Sequence, residues 1–197
     1  MRCLRTSAVV VAVVVTALLG ESSAWATELD GPSEMISTGA AVAAQSEGVL
    51  TWHTALDVSC RGASFSGETS TTGTSTETVK VKLTAIDFQE CGSWLFEVLQ
   101  PGALEIHTEE TNSNNDGVVT STGTEVTTEG FGLHCIYKTN ATRFGTITGS
   151  ANTGGAATLD IEARIPRTGG RSGAFCGSEA EWTGSYTITN PGALNIT

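Results

Sequence analysis

Val79-Lys80-Val81-Lys82-Leu83-Thr84 decides the fold class. Apolar and polar residues alternate, so an extended backbone, which points successive side chains to opposite faces, buries Val79, Val81 and Leu83 and leaves Lys80, Lys82 and Thr84 in water. A helix would turn Val81 to the face opposite Val79 and Leu83. Upstream the pattern recurs: Trp52, Leu56 and Val58 share one face up to Cys60, and His53, Asp57 and Ser59 share the other. Further out, short period-two runs rich in Thr and Val are separated by Gly-rich breaks, the signature of half-buried antiparallel strands. The predicted strands cover 49–60, 63–72, 78–88, 94–99, 103–110, 117–128, 131–139, 143–151, 156–165, 181–189 and 192–197. So many strands in one small domain must stack as two sheets or close on themselves. The fold expected is all-β, a Greek-key β-sandwich or sandwich-like barrel of about ten strands.

The chain has 197 residues, and its start differs from the rest. Residues 1–26 read as a secretory signal: Arg2 and Arg5, an apolar run from Ala8 to Gly20, then Ala24-Trp25-Ala26 as the cleavage site. The apolar run is too short to span a bilayer as a helix, so no membrane insertion is expected. Residues 27–48, with Gly31-Pro32 and the small-residue run Ala40 to Ala44, show no alternation. They read as a flexible lead-in with one helical turn at the alanines. Residues 49–197 form the single β-domain.

Beyond the leader lie Cys60, Cys91, Cys135 and Cys176, an even number in an exported chain, which reads as two disulfides. Their separations of 31, 44 and 41 residues lack the close spacing of a zinc site. Three pairings are open. An internal echo selects one: Cys91-Gly92-Ser93, Trp94 and Pro101-Gly102-Ala103-Leu104 are followed in the same order by Cys176-Gly177-Ser178, Trp182 and Pro191-Gly192-Ala193-Leu194. If the chain is two related halves, Cys60 corresponds to Cys135 and Cys91 to Cys176, so each half closes its own bridge.

Cys135-Ile136-Tyr137, Gly145-Thr146-Ile147-Thr148-Gly149, Phe175-Cys176 and Trp182-Thr183-Gly184-Ser185-Tyr186-Thr187-Ile188-Thr189, with Pro191 and Leu194, carry a family resemblance. From about Gly48 onward the chain resembles a large group of small secreted, four-cysteine, Thr/Gly-rich β-proteins of actinomycete-type bacteria with no established function. The resemblance implies an exported, disulfide-bonded β-protein. It transfers no catalytic or binding residue.

The net charge is −11, and loss of the leader makes it one unit more negative. Phosphate binding depends on clustered Lys and Arg, so no nucleic-acid partner is expected. Several constellations invite chemistry. His53 and Asp57 suggest a catalytic pair, but four positions along a straight strand separate them by about 13 Å, too far for a hydrogen bond. No nucleophile elbow accompanies them. Glu105, His107 and Glu109 fall on one face of a predicted strand within reach of a shared cation, although one His with flexible carboxylates is a poor zinc set. Asn112, Asn114 and Asp116 match the opening of a calcium loop, yet the twelfth position is Gly123 rather than Glu, and Asn- and Asp-Gly-rich stretches are common turn material. The Thr ladders suit exposed pleated faces. Trp52, Trp94 and Trp182 each sit near a cysteine and are expected to pack on a disulfide in the core.

No cofactor is expected and no catalytic residue is assigned. The function expected is that of a secreted, non-enzymatic binding, adhesive or envelope-associated module with an extracellular ligand, protein or carbohydrate. The alternatives are a calcium-dependent carbohydrate-binding domain and a secreted glycosidase-type hydrolase.

Overall fold

The computed structural model describes residues 29–30, 37–71, 78–108, 116–171 and 175–196. The leader, Glu109, Asn112 and Asn114 lie outside the described residues. In chain order the elements are β1 (Leu29–Asp30), β2 (Ala41–Ser46), β3 (Leu50–His53), β4 (Asp57–Cys60), β5 (Gly62–Thr71), β6 (Val79–Gln89), β7 (Leu95–Gln100) and β8 (Ala103–Thr108). There follow β9 (Asp116–Thr122), β10 (Glu125–Gly130), β11 (Leu133–Lys138), β12 (Thr142–Thr148), α1 (Ser150–Thr153), β13 (Thr158–Arg171), β14 (Glu179–Asn190) and β15 (Asn195–Ile196).

Strands β2, β5, β6, β8, β9, β12, β13 and β14 each pair antiparallel with the next, and β14 pairs with β2, closing an eight-stranded barrel. Its strands run up and down in sequence order, so no Greek-key crossing is needed to arrange them. Because directions alternate, the connections after β2, β6, β9 and β13 all leave at one end, here called distal. Those connections hold β3 and β4, then β7, then β10 and β11. Together with the long hairpin β13–β14 they build a second sheet in the order β4-β3-β14-β13-β11-β10-β7. At the opposite end β15 pairs with β1, and Ser150 and Leu194 exchange hydrogen bonds of 2.7 Å, closing the barrel floor over buried Leu194.

Alternation explains the core. Val79, Val81 and Leu83 are buried while Lys80, Lys82 and Thr84 are exposed. A bulge opposite Ser66 and Gly67 then shifts the parity, so that Ile86 faces inward. Above these aliphatic layers sits an aromatic waist. The Phe65 ring stacks on Trp182 at 5.6 Å, Phe144 meets Trp182 edge-on at 5.2 Å, and Trp52 lies 5.6 Å from each of Trp182, Phe96 and Tyr137. Gly145 makes the close packing possible: a Cβ there would lie 1.9 Å from the Asp160 carbonyl oxygen across the β12–β13 pair. The barrel interior retains a cavity of about 40 Å³, lined by Val42, Leu104, Ile147, Ile188 and Leu194 among others. Drug-sized ligands need pockets of roughly 300–1,000 Å³, so this barrel is a packed core.

The bridges join Cys60 to Cys91 and Cys135 to Cys176, the pairing the echo selects. One element order runs twice: β2, the hairpin β3–β4 ending in Cys60, β5, β6, Cys91 and a returning strand; then β9, the hairpin β10–β11 carrying Cys135, β12, β13, Cys176 and β14. The Pro-Gly-Ala-Leu part of the echo keeps this chain order, since Pro101 lies between β7 and β8 and Pro191 between β14 and β15, but β8 joins the barrel whereas β15 pairs with β1.

Five readings of local structure need correction. The lead-in contains β2, a barrel strand between β14 and β5, and no helical turn forms at its alanines. Small side chains hid the alternation, although Ala44 is buried opposite Phe65 and Ile188. The expected strand 49–60 folds back as the hairpin β3–β4, its turn closed by the Leu56 N–H donating to Thr54 Oγ1 at 3.3 Å. The expected strand 117–128 breaks at Gly123 and Thr124, where the Ser121 hydroxyl bonds those of Thr124 and Thr139 and the Thr124 N–H donates to Thr139 Oγ1. Of the expected strand 192–197, the described residues 192–196 supply only the two-residue β15, and the 143–151 strand gives way to α1 at Ser150.

Candidate binding surface

Three turns and one loop gather at the distal end, and each presents an apolar side chain to solvent. Leu56 in the β3–β4 turn is 42% exposed, Leu95 at the start of β7 70%, Phe131 in the β10–β11 turn 78%, and Phe175 in the β13–β14 loop 58%. Phe131 and Gly132 have φ of +51° and +79°, the geometry of a two-residue hairpin turn that normally takes Asn or Gly first. A phenylalanine in this conformation is an outlier, and its ring makes an edge contact with Trp94, 5.9 Å between centroids. Trp94 lies over Gly130, where a Cβ would be 2.7 Å from the indole. Aromatic and aliphatic groups thus stand where a soluble turn ordinarily places polar residues, and clustering rather than exposure alone marks the surface.

A polar rim surrounds them. Leu95, Glu129, His134 and Arg171 face one another across β7, β10, β11 and β13, and His134 Nδ1 lies 2.5 Å from Glu129 Oε1. Arg61 and Glu90 pair at 2.9 Å beside the Cys60–Cys91 bridge. His53 Nδ1 bonds Asp57 Oδ1, contrary to the expectation for a straight strand, because the β3–β4 turn places the two residues in register. That hydrogen bond and the Asp57 charge raise the His53 pKa above the ordinary histidine value, and Glu181, opposite His53 on β14, adds to the shift. The pair is exposed on the outer face.

The other sequence candidates are dispersed. Glu105 pairs with Lys80 at 2.9 Å, and His107 Nε2 lies 3.9 Å from the second Glu105 oxygen. Asp116 accepts a hydrogen bond of 3.1 Å from Asn152. Among the described residues no group of three His, Cys, Asp or Glu side chains is arranged to hold a metal ion. Trp52 and Trp182 are fully buried, whereas Trp94, expected in the core, is half-buried at the distal end. An open groove of about 460 Å³ runs over the barrel wall between Thr146, Asp160, Glu162, Thr183 and Ser185, and within it Ser185 Oγ donates to Asp160 at 2.5 Å. Sequence reasoning missed Leu95, Phe131 and Phe175. For Phe131 a signal was present, since Gly130-Phe131-Gly132 between two alternating runs is a hairpin turn with an aromatic residue at its tip.

The two disulfides are compatible with an extracytoplasmic location, and among the described residues no helix is long and apolar enough to cross a membrane. No protein-family model matches the chain, and no curated protein and no solved structure is detectably similar to it.

Proposed function

We propose that this chain is an exported, non-enzymatic binding module that docks an extracellular protein through its distal end. The observation that carries the reading is the convergence of Leu56, Leu95, Phe131 and Phe175 on that end, with Phe131 held at positive φ. Partner-facing hot spots are typically aromatic or large apolar groups within a polar rim, which is the arrangement here. The sequence adds the secretory leader at residues 1–26. The test is competition: tagged protein is bound to the surface of the producing cells, and untagged wild type or the double variant Leu95→Ser/Phe131→Ser is added. Wild type should displace it and the variant should not. Equal displacement by both would overturn the reading.

A calcium-dependent carbohydrate-binding module is the second reading, favoured by the hydroxyl- and carboxylate-lined groove at Thr146, Asp160, Glu162, Thr183 and Ser185. Calcium-dependent glycan binding that persists in the Leu95→Ser/Phe131→Ser variant would select it.

A further inference from the structure

Strand β7 closes the second sheet on one side, pairing with β10 along one edge and, among the described residues, with no strand along the other. Residues 84–89, the distal half of β6, pair only with β5, because β8 meets β6 over Val79–Lys82 alone. Two unpaired strand edges therefore border a gap in the strand pairing that ends at the Cys91–Trp94 connection on one side and at the Leu83 N–H to Gly102 carbonyl hydrogen bond on the other. Its floor is formed by Phe88 and Phe96, whose rings lie 4.6 Å apart over Trp52. Both phenylalanines are only half-buried, and β7 is the one strand of four or more residues among the described residues without a buried side chain.

Exposed edges are usually blunted by Lys, Pro or short length. The opposite edge strand, β4, is four residues long. β7 has six residues with neither Lys nor Pro, and its one irregularity is a bulge near Gln100. On the solvent side, Asp87 from β6 and Glu97 from β7 are exposed, and neither forms an ion pair among the described residues.

We infer that this gap in the pairing receives an extended segment of a partner protein by strand addition, with apolar side chains on Phe88 and Phe96 alternating with Lys or Arg facing Asp87 and Glu97. Main-chain bonds along β7 supply affinity and the alternating side chains supply specificity. A second copy of β7 does not fit this chemistry. Antiparallel pairing that sets Leu95 against Leu99 of the copy sets Glu97 against Glu97, and both chains carry a net charge of −11. The inference rests on the reading of the chain as a protein-binding module and gives that module a mode of recognition.

The probe is a nine-residue peptide alternating Val and Lys, monomeric at the concentrations used, titrated calorimetrically into the oxidised full-length protein with hydrogen exchange followed in parallel. One-to-one binding with protection of β7 amides is expected. A version with N-methyl groups on alternate amides and a version with Glu in place of Lys should each bind at least tenfold more weakly. Asp87→Lys/Glu97→Lys should reverse the preference toward the Glu peptide. Absence of binding, or binding indifferent to N-methylation, would overturn strand addition. Neither result touches the cell-surface competition that depends on Leu95 and Phe131, so the two readings fail separately.

Discussion

Replacing Phe131 by Asn separates a binding residue from a structural one. In the wild type Phe131 occupies the left-handed region, which costs a residue bearing a Cβ roughly 1–2 kcal/mol, whereas Asn tolerates it and Asn-Gly is the preferred pair for such a turn. Against that relief stands lost burial. The residue is 78% exposed, so of the roughly 200 Å² a phenylalanine can bury only about 45 Å² is removed from water, equivalent to about 1 kcal/mol at 25 cal/mol per Å². The edge contact with Trp94 contributes a further fraction, on the order of 0.5 kcal/mol. Gain and loss nearly cancel. Phe131→Asn should therefore change the unfolding free energy by less than about 1 kcal/mol, while removal of a binding hot spot costs about 2 kcal/mol or more, close to a thirtyfold loss of affinity. Equilibrium denaturation in urea measures the first quantity and cell-surface competition the second. Destabilisation above about 2 kcal/mol would show that Phe131 holds the fold together, and unchanged competition would remove it from the binding surface.

Further outcomes follow from the core. Cys135→Ala/Cys176→Ala opens a bridge spanning 41 residues and should cost about 4 kcal/mol in the chain-entropy account, read as a lower urea midpoint with the Cys60–Cys91 bridge still intact by peptide mapping. Gly145→Ala forces a methyl group into the Asp160 carbonyl and should destabilise by about 3 kcal/mol, whereas Gly155→Ala, with open space around its Cβ, should be neutral; comparable melting temperatures for the two would contradict the packing described. Burial holds the Tyr186 hydroxyl neutral and its pKa above the ordinary value of 10.0, so the folded state retains a proton that the unfolded state releases. Stability should be full below pH 10 and fall as pH rises beyond it, with a shallower decline in Tyr186→Phe; a pH-independent urea midpoint between pH 9 and 11 would refute this.

The class of fold was legible because period two is a local property. Val79 to Thr84 announces its strand without any partner. The disulfide pairing was legible through the repeated Cys-Gly-Ser, even though the strands that follow the two Pro-Gly-Ala-Leu stretches differ, β8 joining the barrel and β15 pairing with β1. The β2 strand was not, since alternation among alanines and glutamine carries little contrast, and its place is set by Phe65 and Ile188 from distant strands. The β3–β4 turn escaped because Thr54-Ala55-Leu56 lacks Gly, Pro and Asn, and this hid the contact of His53 with Asp57. Barrel closure and the convergence of Leu56, Leu95, Phe131 and Phe175 depend on how eight strands order themselves, which no single stretch encodes.

The central claim, that the distal end and not the barrel wall meets the partner, is tested most directly by site-specific photo-crosslinking. A benzophenone side chain is placed at position 131 in one protein and at position 146, in the wall groove, in another, and each is irradiated on the surface of the producing cells. The account predicts one discrete crosslinked protein species from position 131, lost on addition of excess untagged wild type, and none from position 146. A crosslinked species from position 146 with none from position 131 would contradict it.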